Sequence, residues 1–176
     1  NYLTIFLALG SMPLAFTYPL MKRYTYWPQL FLGITFNYGL ILGWTSVSNE
    51  INVVPIIFYL GAIFWTLGYD TIYGYQDIKD DEIIGLKSTS IKFKKDPNKF
   101  LMINYSFFII SLLIVGLLME FNLFYFLCLI ITAWHLIYYQ LRIFEKNNSV
   151  ICLKVFKSNN FLGLIVFLNI LVGKLL

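Results

Sequence analysis

Residues 53–82 read VVPIIFYLGAIFWTLGYDTIYGYQDIKDDE, an apolar run that leads directly into a cluster of carboxylates. No charged residue interrupts this run before Asp70. A helix needs about 20 apolar residues to cross the hydrocarbon core of a bilayer. The run is continuously apolar and does not alternate, which argues against the strands of a membrane barrel. We therefore predict a membrane-spanning helix over residues 54–76, with an acidic segment at its end.

The composition of the whole chain also indicates a membrane protein. Its 176 residues are 59% hydrophobic and only 12% charged, whereas soluble domains carry about 25% charged residues. Cys128 lies in an apolar run and Cys152 in an expected polar loop, so neither a disulfide nor a zinc site is predicted. The net charge of +4 does not indicate nucleic-acid binding, because the basic residues lie in loops between apolar runs.

Five further apolar segments are candidate spans, the first and last of them short. Their predicted ranges are 2–18, 29–47, 100–119, 121–140 and 160–176. We therefore expect an all-α fold, a multi-span transmembrane helical bundle. Because the connections are short and no internal repeat is present, residues 1–176 are expected to form a single domain.

The basic residues are distributed unevenly among the connections between spans. All of the 13 Lys and Arg residues except Lys174 lie in the first, third and fifth connections. The positive-inside rule places these connections on the cytoplasmic side, or on the matrix side in a mitochondrion. The even-numbered connections and both termini would then face the opposite side. From that orientation we expect an odd number of further spans upstream of Asn1.

The acidic segment has the spacing of a helix face. Five of the nine acidic residues lie between Asp70 and Glu82. If the helix continues for about two turns, then at ~100° per residue Asp70, Asp77 and Asp81 fall within roughly 40° of one another. Asp80 and Tyr73 lie beside them. Carboxylate oxygens without His or Cys suit Mg²⁺, which uses few carboxylates together with substrate phosphates. The pattern predicts a diphosphate held through metal at the membrane edge, and the following Lys87-Ser88-Thr89 can donate to phosphate oxygens.

Four stretches of the sequence resemble the UbiA-type intramembrane prenyltransferases. They are Asp70-x-x-Tyr73-x-x-x-Asp77-x-x-Asp80-Asp81, Ile84-Gly85-Leu86-Lys87-Ser88-Thr89, Tyr18-Pro19-Leu20-Met21-Lys22-Arg23-Tyr24-Thr25-Tyr26-Trp27-Pro28-Gln29 and Phe156-x-x-Asn159-Asn160-x-x-Gly163. The third stretch favours the para-hydroxybenzoate branch. The resemblance implies a nine-helix fold of which this chain supplies the last six spans, without the first three. The family's N-D-x-x-D motif is absent here, so residues 1–176 alone are expected to be inactive.

The resemblance implies transfer of a polyprenyl group from polyprenyl diphosphate to 4-hydroxybenzoate, with release of diphosphate, in ubiquinone biosynthesis. Mg²⁺ is the implied cofactor, and the lipid bilayer of a bacterial or mitochondrial inner membrane is the implied surrounding. The implied metal ligands are Asp70, Asp77, Asp80 and Asp81. The residues expected to take part in catalysis are Asp77, Asp81 and Arg23. The residues expected to contact the substrate or its diphosphate are Lys22, Lys87 and Tyr73. Asn37, from its mid-span position, is expected either to line the substrate cavity or to form a hydrogen bond between helices.

Other functions remain open from the residues alone. Within the same family, haem O, menaquinone and chlorophyll types of enzyme are alternatives. A cation transporter fragment would use the acidic stripe as a gate, although transporters carry such charges nearer the middle of the membrane. A non-catalytic membrane scaffold is a third alternative. His135, in the fifth span, is interpreted as a buried, hydrogen-bonded histidine in preference to a proton relay.

Overall fold

The computed structural model describes residues 1–175, and within that range the chain is helical with no strand. The predicted all-α class is confirmed. The helices are α1 (Tyr2–Thr17), α2 (Met21–Tyr24), α3 (Pro28–Ser48), α4 (Val53–Gly74), α5 (Ile78–Ile84), α6 (Thr89–Lys92), α7 (Pro97–Leu118), α8 (Leu123–Ala133), α9 (Leu141–Ile143) and α10 (Ser149–Leu175). A 3₁₀ turn (Tyr18–Leu20) joins α1 to α2, and a π-helix (Trp134–Gln140) joins α8 to α9.

Six helical stretches in the described residues are long and apolar enough to cross a membrane, as the sequence predicted. At the start of several of these helices, a side chain accepts a hydrogen bond from a backbone amide that has no partner within the helix. Asn52 accepts from the amide of Val54 at the start of α4, and Asn122 accepts from the amide of Tyr125 at the start of α8. The chain is therefore an integral membrane protein whose spans begin and end close to the predicted positions.

The last span differs from its prediction. It begins at Ser149 and not at residue 160, and Leu176, its predicted end, lies outside the described residues. Cys152, which we expected in a polar loop, is fully buried in the first turns of α10. These turns are amphipathic: Cys152 and Val155 face the core, while Lys154 and Lys157 are exposed. The two lysines shortened the apolar run in the sequence and concealed the start of the helix.

Helix α4 lies at the centre of the bundle, packed against α3, α7 and α10. Its glycines permit a close approach to α7. A Cβ at Gly61 would lie 1.7 Å from Ser111 Oγ, and one at Gly68 would lie 2.4 Å from the Tyr105 ring. Small residues of this kind allow helices to pack tightly where no hydrophobic effect drives them together. The central position of α4 places its polar end beside the ends of its neighbours.

The helix that carries the acidic residues is interrupted. The sequence predicted one continuous helix through Asp70, Asp77 and Asp81, but α4 ends at Gly74 and α5 starts at Ile78. The prediction of one continuous carboxylate stripe is therefore wrong. The reason is tertiary, because Ser90 bonds to the Thr71 carbonyl, the acceptor that the Tyr75 amide would use in a continued helix, and the Tyr75 amide bonds to the carbonyl of Ile72 instead. Ser90 Oγ donates to the Thr71 carbonyl at 2.7 Å, near the end of α4.

The π-helix in the fifth span directs two polar residues into the bundle. Gln140 is fully buried and His135 is buried, and the Gln140 amide nitrogen lies 3.4 Å from His135 Nδ1. The interpretation of His135 as a buried, hydrogen-bonded histidine is confirmed. The hydrogen bonds of a π-helical turn span one more residue than those of an α-helical turn, and such turns frequently occur at functional sites.

Candidate functional site

The site is built from two connections at the same end of the bundle. We call residues 18–27 the first loop and residues 75–96 the acidic loop. The amide of Lys87 donates to the carbonyl of Lys22 at 2.8 Å, and Lys87 Nζ lies 3.3 Å from the carbonyl oxygen of Tyr24. Lys92 Nζ lies 4.3 Å from the centre of the Trp27 ring, within cation–π range. These contacts hold the two loops together although they are distant in sequence.

Asp81 is the buried carboxylate of the acidic loop, with 5% of its surface exposed. Its Oδ2 lies 3.4 Å from Lys22 Nζ in the first loop. The Asp81 amide donates to the carbonyl of Asp77 at 2.9 Å, so these two residues lie one helical turn apart. Asp77 and Asp80 are exposed. Of the three aspartates in residues 77–81, one is thus buried and paired, and the other two face outward.

Asp70 lies in a different setting, within the last turns of α4. It lines a cavity of about 240 Å³ together with Lys22, Gln29 and Tyr18. Lys22 therefore lies beside Asp70 in this cavity and also pairs with Asp81. The cavity at the end of α4 is therefore lined by one carboxylate and by a lysine whose ion pair is with α5.

The predicted metal ligands do not form one compact cluster. Within residues 1–175, no three of the His, Cys, Asp and Glu side chains converge into a metal-binding group. The break after Gly74 separates Asp70 from the other three carboxylates. The donor set consists of carboxylate oxygens, which are ligands suited to Mg²⁺. Because Mg²⁺ typically takes one or two carboxylates and completes its shell with water and phosphate, Asp77 and Asp81 are compatible with it.

The other predicted site residues are placed as follows. Arg23 is exposed in the first loop, next in sequence to Lys22, which pairs with Asp81. Lys87 is partly buried. Its Nζ lies 3.3 Å from the carbonyl oxygen of Tyr24 and 5.7 Å from the centre of the Tyr26 ring. Tyr73, at the end of α4, is 40% exposed. The structure therefore places Lys22, Lys87 and Asp81 in the two joined loops, with Arg23 next to Lys22 in the first loop.

Ser88 and Thr89 do not have the role suggested by the sequence. Both are fully buried. Ser88 Oγ accepts from the amide of Ile91 at the start of α6, and Thr89 Oγ1 lies 2.6 Å from Thr71 Oγ1. The Thr89 amide donates to Gln29 Oε1 at 3.0 Å. These residues anchor the acidic loop to the bundle, and the expectation that they donate to phosphate is wrong.

Three cavities extend from this end of the bundle along α4. The mouth cavity, of about 350 Å³, is lined by Tyr69 and Phe156 among others. The middle cavity, of about 390 Å³, follows it, and the distal cavity, of about 320 Å³, follows the middle one. The mouth and middle cavities share the lining residues Asn37, Trp65 and Gly163. The middle and distal cavities share the lining residues Leu40, Phe58 and Ile170.

The mouth cavity lies next to the acidic end. Tyr69, which lines it, directly precedes Asp70 in α4, and the Phe156 ring lies 4.7 Å from that of Tyr73. Asn37, predicted from its mid-span position to line a substrate cavity, lines both the mouth and the middle cavity. The arrangement joins a charged end to an elongated apolar interior, which suits a ligand with an anionic head and a long hydrocarbon tail.

Sequence reasoning missed two residues of this interior. Trp65 is not among the predicted site residues, yet it lines two cavities. Gln140 attracted no attention, yet it is fully buried and bonded to Asn159. The available signal was the presence of amide side chains inside or next to apolar runs, since buried polar groups in a membrane are costly.

Comparisons with known proteins place the chain in a family. The sequence profile of the UbiA prenyltransferase family matches residues 1–170. The chain is 43% identical over 176 residues to the mitochondrial 4-hydroxybenzoate polyprenyltransferase of Bos taurus, covering 99% of this chain and 47% of the relative. It is 41% identical over 179 residues to 4-hydroxybenzoate geranyltransferase 2 of Lithospermum erythrorhizon, covering 99% and 57%. It is 35% identical over 170 residues to the 4-hydroxybenzoate octaprenyltransferase of Marinobacter nauticus, covering 97% and 58%.

The chain thus spans about half the length of the curated relatives that it matches. No solved structure matches it. The profile covers five spanning helices, most of the sixth, the first loop and the acidic loop, and therefore the site residues named above. The chain belongs to the UbiA prenyltransferase family.

Proposed function

We propose that the protein transfers a polyprenyl group from polyprenyl diphosphate to 4-hydroxybenzoate in ubiquinone biosynthesis. The observation that carries this proposal is the position of the carboxylate and lysine groups beside the mouth of the apolar cavities. The names of the relatives from Bos taurus and Marinobacter nauticus support this choice of donor and acceptor. Family membership argues against the cation transporter and scaffold alternatives. Because the relatives are about twice as long, the activity is proposed for the whole protein.

The acidic loop would hold Mg²⁺. Asp77 and Asp81 are the proposed direct ligands, because they lie one helical turn apart, with Asp70 and Asp80 nearby. Bound Mg²⁺ supplies positive charge that neutralises the diphosphate leaving group. Lys22, Lys87 and Arg23 add further positive charge from the first loop and the start of α6. Arg23 suits a bidentate contact with an oxyanion, either the diphosphate or the benzoate carboxylate.

The reaction exchanges the allylic C–O bond and a ring C–H bond for a new C–C bond and a protonated diphosphate. The allylic C–O bond of the donor breaks, and its electron pair leaves with the diphosphate. The ring carbon next to the hydroxyl of 4-hydroxybenzoate attacks the allylic carbon and forms the new C–C bond. The ring then loses the proton at that carbon, and the departing diphosphate is a base able to accept it. The Tyr73 ring packs against Phe156, which lines the mouth cavity. At that position the face of the Tyr73 ring can shield the allylic cation.

The apolar cavities receive the isoprenoid tail. Their linings consist mainly of aliphatic and aromatic side chains contributed by α3, α4, α7 and α10. A dry interior keeps water away from the cation and so prevents hydrolysis of the donor. The acidic loop is proposed to face the cytoplasm or the mitochondrial matrix, the side on which most basic residues lie.

A direct assay tests this function. The whole protein is expressed in membranes and supplied with octaprenyl diphosphate, 4-hydroxybenzoate and Mg²⁺, and the products are identified by mass spectrometry. We expect 3-octaprenyl-4-hydroxybenzoate and an equal amount of diphosphate. Prenylation of a different acceptor, such as haem or a naphthoate, would assign the protein to another branch of the family. A lack of transfer to any aromatic acceptor would contradict the proposal.

A further inference from the structure

The passage between the mouth and middle cavities is bounded by three residues from three helices. Asn37 of α3, Trp65 of α4 and Gly163 of α10 line both cavities. A chain-like ligand that occupies both cavities must pass between these residues. What fixes their positions therefore determines which ligands can pass.

Trp65 is held on both faces and at its edge. Its ring stacks on Phe108 with centroids 4.9 Å apart and an interplanar angle of 8°. The Tyr69 ring meets it edge-on at 5.7 Å. Trp65 Nε1 donates to Asn159 Oδ1 at 2.9 Å, across the bundle in α10. An indole with a satisfied N–H and a stacked partner has a single preferred orientation.

A buried chain of polar groups stands behind this hydrogen bond. Asn159 Oδ1 also accepts from Gln140 Nε2 at 2.9 Å, and Gln140 Oε1 accepts from the hydroxyl of Tyr105 at 2.6 Å. Gln140 and Tyr105 are both 0% exposed. Polar side chains are costly inside a membrane protein unless their hydrogen bonds are made. Four helical segments thus contribute to holding one tryptophan, more than ordinary helix packing requires.

The opposite sides of the passage are fixed in different ways. Asn37 Nδ2 donates to Thr66 Oγ1 at 2.8 Å and lies 3.2 Å from the carbonyl oxygen of Ala62, which ties it to α4. Gly163 contributes no side chain, and a Cβ there would lie 3.4 Å from Trp65 Cη2. An alanine would only touch the indole edge, whereas a larger side chain would fill the passage. The width of the opening therefore depends on Gly163.

We propose that Trp65 is a positioning residue for the isoprenoid chain, and that Gly163 determines whether long chains are accepted. The fixed indole directs the isoprene units that follow the diphosphate head past Gly163 into the middle cavity. The buried hydrogen bonds of Asn159, Gln140 and Tyr105 keep the indole in place. This inference rests on the proposed function, because it specifies how the same donor substrate is held.

Chain-length selectivity tests the role of Gly163. Gly163→Leu is compared with Gly10→Leu, a substitution at an exposed position of α1 outside the three cavities. In the whole protein, Gly163→Leu is expected to lower kcat/KM for octaprenyl diphosphate at least about tenfold relative to geranyl diphosphate. Gly10→Leu is expected to leave this ratio unchanged. A ratio unchanged by Gly163→Leu, whether activity falls or not, would overturn the inference.

A binding measurement separates this inference from the proposed function. In the whole protein every tryptophan except Trp65 is replaced by Phe, Trp27, Trp44 and Trp134 among them, and octaprenol is added as an unreactive probe. We expect the emission of Trp65 to change on binding, and Gly163→Leu to abolish the change. Asn159→Leu is expected to broaden the Trp65 emission spectrum before octaprenol is added, because the indole N–H loses its acceptor. Asn159→Gln can still accept this hydrogen bond and is expected to restore much of the original spectrum. An octaprenol response without prenyl transfer would refute only the proposed function, whereas transfer with a silent Trp65 would refute only this inference.

Discussion

Lys22 Nζ lies 3.4 Å from Asp81 Oδ2, although the two residues are 59 positions apart in the sequence. The pair joins the first loop to the acidic loop at the end of the bundle. Its carboxylate is buried and its ammonium is partly exposed. The positive charge of Lys22 is thus held beside the carboxylates that we propose as metal ligands, where a diphosphate would meet both.

Loss of the Lys22 charge should weaken the use of the donor. Lys22→Gln is expected to lower kcat/KM for polyprenyl diphosphate by about tenfold or more, because one favourable contact of roughly 1.4 kcal/mol is removed. Lys22→Arg should retain part of the activity. Steady-state kinetics with varied donor concentration provide the measurement, and Lys99→Gln, at an exposed position of α7, is the control. Equal kinetics for Lys22→Gln and Lys99→Gln would contradict a role for this charge.

The close contact of α4 with α7 predicts a strong effect at Gly61. Gly61→Ala places a Cβ 1.7 Å from Ser111 Oγ and 2.5 Å from Ser111 Cβ, so the helices must separate. We expect a loss of about 1–3 kcal/mol in the free energy of unfolding. Thermal unfolding in detergent measures it as a lower Tm. Gly43→Ala, where nothing lies within 4 Å of the added Cβ, is the matched control. A Tm equal to that of the control would show that the helices are not in close contact.

The anchoring of the acidic loop predicts a local effect at Thr89. Thr89→Val removes the hydroxyl that lies 2.6 Å from Thr71 Oγ1, while Thr71 keeps its bond to the Leu67 carbonyl, so one buried hydrogen bond is lost at a cost of about 0.5–1.5 kcal/mol. We expect faster proteolytic cleavage within residues 75–96. Ser46→Ala, at the other end of the bundle, should leave cleavage unchanged. Protection of the loop in Thr89→Val equal to that of the unmodified protein would argue against this anchor.

The spans were predictable because they depend on local composition. Continuous apolar runs bounded by charges set the position of each helix to within a few residues, as at α3 and α7. The amphipathic start of α10 was not predictable in this way, since its buried face becomes apparent only once its neighbours are known.

The site was predictable in residue types but not in geometry. The carboxylates and lysines were found from their spacing, yet the helix break after Gly74 depends on Ser90, which follows in a separate helix. Local periodicity contains no information about that contact, because the sequence is compatible with a continued helix. The bond from Trp65 to Asn159 joins residues 94 positions apart. Such a pairing becomes evident only when the bundle is assembled.

The most direct test of the account is the activity of Asp81→Asn in the whole protein at saturating Mg²⁺, compared with Glu82→Gln. Glu82 belongs to the same acidic loop but pairs with Lys94 and has no proposed part in the site. We expect Asp81→Asn to lower the rate of prenyl transfer by about 100-fold or more and to raise the Mg²⁺ concentration needed for half-maximal activity, with Glu82→Gln near normal. Full activity with unchanged Mg²⁺ dependence in Asp81→Asn would contradict the claim that this carboxylate holds the metal of a diphosphate site.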